Sequence, residues 1–337
     1  MRHISRKEIA AVRTAVLLIN TGSPDAPETG SVRRYLEEFL SDPRVIELPR
    51  WKWMPILHGI ILRVRPAKSA ARYRLVWRED GSPLIVHTKR MAERLAERFD
   101  DVAVAWAMRY GSPSVDEVLN RLQAEGVERL CVMPLFAQYA PQTTAACFDA
   151  VFDWMKRQRA VPALRTITGY HQHPAYIDAL AERIQNYWER HGSVVEAGGK
   201  LLMSFHGLPK KGALLHGDRY EAYCRETAQA LAERLGLSPG QWALGFQSRF
   251  GREEWLQPYT LEKLEALVRD GLDSIDVVCP GFAADCLETI EEIDDELRRA
   301  FRAICPDGRF RYIPALNASD AAIDAYEAIL RETLAGW

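Results

Sequence analysis

Short, nearly continuous apolar runs recur along the chain, and stretches with helical spacing separate most of them. Such runs are typical of the strands of a parallel sheet that is buried on both faces. We predict eight strands: Ala15–Asn20, Val102–Met108, Leu130–Phe136, Leu164–Thr168, Leu201–Phe205, Trp242–Phe246, Ile275–Cys279 and Phe310–Pro314. The alternation of these strands with helices predicts doubly wound α/β layers.

The eight predicted strands form two sets of four, and the offsets between corresponding strands are similar for three of the four pairs. About forty extra residues, 41–87, lie between the first two strands. This weak repeat predicts two similar α/β domains, one of them with an insertion. We place the first domain at 12–172 and the second at 173–317, and we expect a final helix within 318–337 to pack back on the first domain.

Composition and charge restrict the functional class. The chain has 337 residues, of which 47% are hydrophobic, and a formal net charge of -2. These values are ordinary for a globular protein and argue against nucleic-acid binding by phosphate neutralisation. No apolar run approaches the roughly 20 residues of a membrane-spanning helix. The N-terminal apolar run is interrupted by Arg13 and lacks a cleavage motif, so we interpret it as a first strand of a cytoplasmic protein.

Several familiar site types have no support in the sequence. The six cysteines are scattered and include no C-x-x-C pair, which argues against a zinc ribbon or a thioredoxin-like site. Neither a G-x-G-x-x-G nor a P-loop motif follows any strand, and no G-x-S-x-G elbow is present. Any ligand is therefore expected in the crevice at the carboxyl ends of the strands, bound by other loops.

The first candidate group is His206, which leaves a buried strand just before a glycine. An imidazole at a strand end either accepts protons or ligates a metal near neutral pH, or it simply caps the strand through a backbone hydrogen bond. The residues alone leave both interpretations open.

The second candidate is the acidic series Glu288, Glu292 and Glu296, which recurs at every fourth residue of a predicted helix. We expect a core stripe on the opposite side, formed by Leu287, Ile290, Ile293 and Leu297. Periodicity by itself favours an ordinary solvated acidic face. The alternative is a carboxylate path for cations or protons, which requires that the series face a cleft.

The third candidate is the insertion segment Trp51–Arg65, which combines two tryptophans, aliphatic residues and flanking basic residues. It is too short to span a bilayer. It either borders an apolar pocket or touches a membrane surface, or it is a helix buried against the first domain.

Taken together, these segments resemble the ferrochelatase family of class II chelatases, which insert ferrous iron into protoporphyrin to make haem. Six motifs match in order over nearly the whole chain: Leu18-Ile-Asn-Thr-Gly-Ser-Pro24, Gly81-Ser-Pro-Leu84, Pro134-Leu-Phe-Ala-Gln-Tyr139, Ser204-Phe-His-Gly-Leu-Pro209, Gly245-Phe-Gln-Ser-Arg249 with Trp255-Leu-Gln-Pro258, and Pro280-Gly-Phe-Ala-Ala-Asp-Cys-Leu-Glu-Thr289. Each motif is weak alone, whereas their ordered combination is highly specific.

The resemblance implies two Rossmann-like domains, each a four-stranded parallel sheet flanked by helices, with a porphyrin in the cleft between them. It implies His206 and Glu288 as the catalytic and iron-binding pair, and Glu292 and Glu296 as a proton and metal relay. The insertion 41–87 becomes the lip, which holds the porphyrin and contacts the membrane peripherally. The implied porphyrin-binding residues are Thr21, Tyr139, Trp51, Trp53, Leu57 and Ile61.

Three departures from the family pattern matter. Many relatives have a histidine two residues before the catalytic glutamate, where this chain has Cys286, so a His–Glu relay is not expected there. Only Cys305 follows Cys286, so no C-terminal [2Fe–2S] cluster is expected. Relatives that metallate coproporphyrin tend to carry a tyrosine in the first loop, and Thr21 at that position favours protoporphyrin.

The resemblance therefore predicts protoporphyrin IX and ferrous iron as substrates, no required cofactor, no nucleic-acid partner, and a monomer or a homodimer. Two rivals are kept: a related chelatase for another tetrapyrrole or metal, and a non-catalytic tetrapyrrole carrier. The apolar, tryptophan-bearing insertion argues against the first rival, since polycarboxylated rings require more basic residues. The second rival predicts porphyrin binding that does not depend on His206 or Glu288.

Overall fold

The computed structural model describes residues 13–251 and 253–337, so the predicted domain start at residue 12 lies outside the described residues. It confirms all eight predicted strands, with end points that differ by at most three residues. The strands are β1 (Arg13–Gly22), β2 (Val102–Tyr110), β3 (Val127–Pro134), β4 (Ala163–Thr166), β5 (Lys200–His206), β6 (Trp242–Gln247), β7 (Ser274–Val278) and β8 (Arg309–Ile313).

The strands form two four-stranded sheets with the same order, β2-β1-β3-β4 and β6-β5-β7-β8. Every pairing between neighbouring strands is parallel. The fold class predicted from the apolar runs, two parallel α/β units, is therefore confirmed. In each sheet the first strand is central, so its carboxyl end lies between those of its two neighbours.

Helices follow or separate the strands. They are α1 (Thr29–Ser41), α2 (Arg50–Ile56), α3 (Leu62–Val76), α4 (Pro83–Ala96), α5 (Val115–Ala124), α6 (Ala146–Lys156), α7 (Pro174–His191), α8 (Lys211–His216), α9 (Tyr220–Arg234), α10 (Thr260–Arg269), α11 (Arg298–Ile304) and α12 (Asp320–Leu334). Three segments have π-helical hydrogen bonding: Leu57–Ile61, Pro141–Ala145 and Glu288–Leu297. We call the last of these the carboxylate helix.

Side chains of the central strands alternate between two cores, as the pleat of a strand requires. From β1, Leu17 and Ile19 pack with α5 and α6 on one face of the first sheet. Val16 and Leu18 face a larger core that also contains residues of β5, α4, α7, α9 and α12. On the far side of the second sheet, α10, α11 and the carboxylate helix form a third core. Each sheet is thus covered on both faces by helices.

The C-terminal helix α12 packs chiefly against α7 and also against α4. Tyr326 is fully buried on it, and the ring of Tyr326 meets that of Tyr170 edge-on. Arg98 of the segment after α4 donates to Asp324 at 3.0 Å. The helix therefore contacts elements before and after residue 172, and we keep the division of the chain at 172 and 317 as a proposal.

Within the described residues, no helix is long and apolar enough to cross a membrane.

Candidate active site

His206 is the last residue of β5, and one of its ring nitrogens is committed to the backbone. Its Nδ1 lies 2.6 Å from the carbonyl oxygen of Gly207. A carbonyl only accepts, so Nδ1 carries the hydrogen, and in the neutral ring the lone pair is on Nε2. The backbone cap and the functional nitrogen, which the sequence offered as alternatives, are therefore compatible in one side chain.

The glycine after His206 is required by a close approach of the neighbouring strand. A Cβ at Gly207 would lie 2.8 Å from the carbonyl oxygen of Gln247. The Gly207 N–H in turn donates to that same carbonyl at 2.8 Å. The Tyr220 hydroxyl also donates to the His206 carbonyl at 2.9 Å. These contacts fix the backbone on which the imidazole is mounted.

The carboxylate helix presents acids that differ in exposure, and the most exposed acid of the predicted series is the one at the end of the helix. Glu291 is buried, Glu288 and Glu292 are half-buried, and the Glu296 side chain is 51% exposed. An acidic face solvated along its whole length, which periodicity alone favoured, is not what the structure shows. π-Helical turns are rare and frequently mark functional sites, which suits this graded series.

The predicted core stripe on this helix is only half right. Ile293 and Leu297 are buried in the core of the second sheet. Leu287, by contrast, is half-buried and packs against the lip, and Ile290 is also only half-buried. The prediction assumed an ordinary α-helical repeat, whereas π-helical bonding turns these residues to other sides.

Gln247 joins the histidine strand to the carboxylate helix. On β6 it lies opposite His206 in the strand register. Its Oε1 accepts from the Ser204 hydroxyl at 2.8 Å, and its Nε2 donates to the Glu288 carbonyl at 2.8 Å. Gln247 is almost fully buried, so both bonds are shielded from water. A single amide therefore sets the distance between β5 and the start of the carboxylate helix.

Glu292 is bound by the residue that follows Gln247. Its two carboxylate oxygens accept from the backbone N–H and the hydroxyl of Ser248, each at 2.6 Å. Ser248 has φ of 65°, a left-handed conformation that costs a non-glycine residue about 1–3 kcal/mol and is concentrated at functional sites. The strained turn directs both donors at the carboxylate.

The pKa of Glu292 is shifted by its burial and by the charges and hydrogen-bond donors close to it. Burial raises this pKa above its usual value, and the nearby negative charge of Glu288 raises it further. The Ser248 hydrogen bonds and the positive charge that His206 carries when protonated lower it. The structure thus brings His206 close to Glu288 and Glu292, which lie more than eighty residues after it in the sequence. No direct hydrogen bond links His206 to Glu288 among the described residues.

We expect Ser248→Ala to move the acid limb of the pH–activity profile to higher pH. The hydroxyl of Ser248 stabilises the charged form of Glu292, so its removal raises a pKa that burial has already raised. If turnover requires charged Glu292, activity on acidification is then lost at a higher pH than in the wild type. Ser193→Ala, in the loop after α7, is the control. An acid limb that stays in place or moves to lower pH would contradict the assignment.

Cys286, two residues before Glu288, is not equipped to act as a base. It is buried, and burial raises the pKa of its thiol well above the usual value, as does the charge of Glu288. The thiol is therefore neutral at physiological pH. Its backbone N–H donates to the hydroxyl of Thr289 at 3.0 Å.

Two buried tyrosines face Glu288 from the first half of the chain. Tyr35 on α1 and Tyr73 on α3 meet edge-on, with ring centroids 6.5 Å apart. Burial raises the pKa of both phenols, and the charge of Glu288 raises each further. Both hydroxyls are therefore protonated, and that of Tyr35 donates to the Gly22 carbonyl at 3.2 Å. The sequence analysis did not single out either tyrosine.

The lip has both properties that its sequence left open as alternatives: an exposed apolar surface and a part that is buried against the rest of the first domain. Trp51 is 75% exposed. Trp53 is half-buried, with its indole N–H donating to the Leu40 carbonyl at 2.6 Å, and Ile61 packs against the same cluster. Leu57 is fully buried in this cluster, so its side chain supports the lip from inside and presents no surface to a ligand. The exposed apolar residues near Trp51 are instead Ile56, Ile60 and Val64.

The remaining predicted porphyrin contacts lie at strand ends of the first sheet. Thr21 is half-buried near the end of β1, where its backbone N–H donates to the Asn20 side chain at 2.8 Å. Tyr139 is half-buried in the loop after β3. Both positions lie at the carboxyl edge, where open α/β sheets bind ligands.

Over the described parts of the chain, no group of three or more His, Cys, Asp or Glu residues is arranged to hold a metal ion.

The fold is that of the two-domain chelatases. The chain is similar to the sirohydrochlorin chelatase SirB from Bacillus subtilis subspecies spizizenii in complex with cobalt, with a TM-score of 0.57 over 96% of this chain and 95% of that chain. Sequence identity to that structure is 10%, so the likeness is one of fold.

Within this class, the family model for ferrochelatase matches residues 13–334. The ferrochelatase of Marinobacter nauticus is 51% identical over 330 residues, which cover 96% of this chain and 88% of the relative. The ferrochelatase of Azoarcus sp. is 50% identical over 332 residues, which cover 97% and 90%. The chain belongs to the ferrochelatase family, enzymes that insert iron into a porphyrin in haem synthesis, and the predicted family and activity are confirmed.

Proposed function

We propose that this enzyme inserts Fe²⁺ into protoporphyrin IX and releases two protons, with His206 and Glu288 as the reacting pair. One observation carries the proposal: the lone pair of neutral His206 is on Nε2, and His206 lies within electrostatic reach of half-buried carboxylates. A neutral imidazole nitrogen and carboxylate oxygens are the groups that accept pyrrole protons and ligate a borderline divalent cation.

Metallation must remove two pyrrole N–H protons and bring a hydrated cation to the ring. In our proposal Nε2 of His206 takes a proton or holds the iron, and Glu288 orients the imidazole and stabilises its charge. Glu292 and Glu296 lie further along the same helix, toward solvent. Their carboxylates replace water around the incoming cation and return protons to solvent. The increase in exposure from Glu288 to Glu296 supports a path on which the cation moves inward from solvent and the protons move outward.

The choice of protoporphyrin rests on the apolar surroundings of the proposed cleft. The lip exposes Trp51, Ile56, Ile60 and Val64, which suit a ring with few carboxylates. Thr21 leaves space where relatives that use coproporphyrin carry a tyrosine. Trp51 and Tyr139 are the proposed contacts to the ring, with Trp53 and Ile61 behind them. Iron enters this scheme as a substrate, with no resident cofactor and no [2Fe–2S] cluster.

The test is anaerobic mixing of the enzyme with Fe²⁺ and either protoporphyrin IX or coproporphyrin III. We expect the four Q-bands of free protoporphyrin to collapse to a metalloporphyrin pattern, at a faster rate than for coproporphyrin under matched conditions. Faster metallation of coproporphyrin would overturn the substrate assignment. Binding of the porphyrins without metallation of either one would contradict the proposal that this protein acts as an enzyme.

We expect Zn²⁺ and Co²⁺ to be inserted as side activities. Imidazole nitrogen and carboxylate oxygen ligands of the kind proposed here do not discriminate strongly among late first-row divalent cations. Fluorescence of zinc protoporphyrin, and absorbance for cobalt, provide the measurement. Complete exclusion of both metals by an enzyme that inserts iron would show that the metal site has a different ligand set.

We also propose that the lip contacts the cytoplasmic face of the membrane, from which an apolar ring is delivered. The exposed residues Trp51, Ile56 and Ile60 are flanked by Lys52 and Arg63, a combination that suits an anionic lipid surface. We propose a cytoplasmic protein with peripheral attachment, active as a monomer or a homodimer.

A further inference from the structure

A bidentate ion pair joins helix α3 of the lip to the carboxylate helix. Nε of Arg72 donates to Oε1 of Glu291 at 2.8 Å, and Nη2 donates to Oε2 of the same carboxylate. Nη2 also lies 3.4 Å from Oε2 of Glu296. One guanidinium therefore connects the segment that carries Trp51 to two acids of the helix that begins with Glu288.

The pair is specific in geometry. The Glu291 side chain is only 4% exposed, so its charge depends on a partner, whereas the Arg72 side chain is 44% exposed. A fork-shaped guanidinium bound to both oxygens fixes the direction of the contact. Removing Arg72 alone would leave the buried charge of Glu291 uncompensated.

Two further contacts lie beside this pair. Arg65 precedes Arg72 by seven residues and so lies on the same face of α3. Its guanidinium carbon is 4.7 Å from the ring centroid of Phe250, in the loop that follows Ser248. Leu287, next to Glu288, packs against the lip cluster. The lip thus contacts the carboxylate helix through Arg72, the residue just before that helix through Leu287, and the loop after Ser248 through Arg65. Of these three contacts, that of Arg72 involves acids of the carboxylate helix.

We propose that Arg72 is a positioning residue that couples porphyrin binding at the lip to metal binding on the carboxylate helix. This inference rests on the proposed function. A ring that enters beneath the lip displaces α3 and with it Arg72. A cation that arrives at Glu296 competes with Nη2 of Arg72 for the same carboxylate oxygen. Both substrates therefore favour the state in which Arg72 has released Glu296.

The coupling is accordingly positive, and for the two binding free energies it is reciprocal: each substrate strengthens the binding of the other by shifting the same contact. A residue that merely stabilised the fold would change the amount of active enzyme. It would not change how the binding of one substrate depends on the concentration of the other.

The test uses the double variant Arg72→Met, Glu291→Leu, in which no buried charge is left without a partner. Initial rates are measured anaerobically over a grid of Fe²⁺ and protoporphyrin concentrations. For the wild type we expect the KM for Fe²⁺ to fall about fivefold or more between low and saturating porphyrin. For the double variant we expect turnover to persist with a KM for Fe²⁺ that is the same at every porphyrin concentration.

Arg74→Met is the matched control, because Arg74 is exposed on the same helix and contacts only the Pro27 carbonyl among the described residues, at 3.3 Å. It should keep the wild-type coupling. Coupling that survives in the double variant, is absent from the wild type, or disappears in Arg74→Met would overturn the inference. Failure of the proposed function is distinguishable, since the wild type would then form no haem at any point of the grid.

Discussion

His206→Ala abolishes metallation while porphyrin still binds: this is the largest effect that we expect from any single substitution. The neutral ring offers its lone pair at Nε2, because Nδ1 is committed to the Gly207 carbonyl. Loss of a positioned proton acceptor typically lowers a rate by about 10²–10⁴-fold, and loss of a metal ligand adds to that. Q-band spectra report turnover, and quenching of porphyrin or protein fluorescence reports binding.

His206→Asn separates the chemical role from the structural one. An asparagine amide can donate to the Gly207 carbonyl as Nδ1 does, but it has no atom in place of Nε2 and no basic lone pair. We expect this variant to be as inactive as His206→Ala. His191→Ala, exposed at the end of α7, should retain wild-type rates. Recovery of activity in His206→Asn would show that His206 acts only as a strand cap. Equal porphyrin binding without metallation in the wild type and in every variant would favour a carrier.

Glu288→Gln is expected to have the second-largest effect, a loss of at least about 10²-fold in kcat. The substitution preserves size and removes the charge of the proposed partner of His206. The anchor of this residue is unaffected, since Gln247 donates to the backbone carbonyl of Glu288 and not to its side chain. The KM for porphyrin should therefore change little. Steady-state kinetics with both substrates provide the measurement.

Glu262→Gln, exposed in the first turn of α10, is the matched control for the loss of one carboxylate and should behave as the wild type. If Glu288→Gln raised only the KM for the metal and left kcat intact, Glu288 would be a ground-state metal ligand without a part in proton transfer. If it left both constants unchanged, the catalytic pair would have to be sought elsewhere, with Glu292 as the next carboxylate on the helix.

The strands were predictable because burial on both faces of a parallel sheet demands continuous apolar runs. Residues 15–19 of β1 illustrate this: they face two different cores in alternation, and none of them has a polar side chain. The candidate chemistry was predictable for a related reason. His206 ends such a run, and strand ends at the carboxyl edge are where the chain can expose a polar group without disturbing the sheet.

The carboxylate helix shows where periodicity fails. A regular α-helical repeat placed Leu287 in the core beside Ile293, whereas π-helical bonding turns Leu287 toward the lip. Sequence patterns report the repeat of an ideal helix and contain no signal for this change in hydrogen bonding. The same difficulty affects Leu57 in the lip, whose burial next to exposed Trp51 and Ile60 follows no simple stripe.

Contacts between segments that are far apart in the chain also could not be predicted from the sequence. Arg72 and Glu291 are 219 residues apart, and nothing in either neighbourhood predicts the pair. Gln247 and Ser248 belong to a recognised motif, but the motif does not reveal that one holds the Glu288 carbonyl and the other holds Glu292. Such roles depend on how two folded halves meet.

The common strand order of the two sheets makes their central strands β1 and β5 equivalent in position. A glycine that is followed two residues later by proline ends β1, as Gly22, and comes directly after β5, as Gly207. A Cβ at either would collide with a carbonyl oxygen of the neighbouring strand, that of Tyr110 or of Gln247. The residue before each glycine therefore occupies the same structural position, Thr21 in one half and His206 in the other. The same strand end thus carries a hydroxyl in the first half and an imidazole in the second, so the internal symmetry of the fold does not extend to its side-chain chemistry.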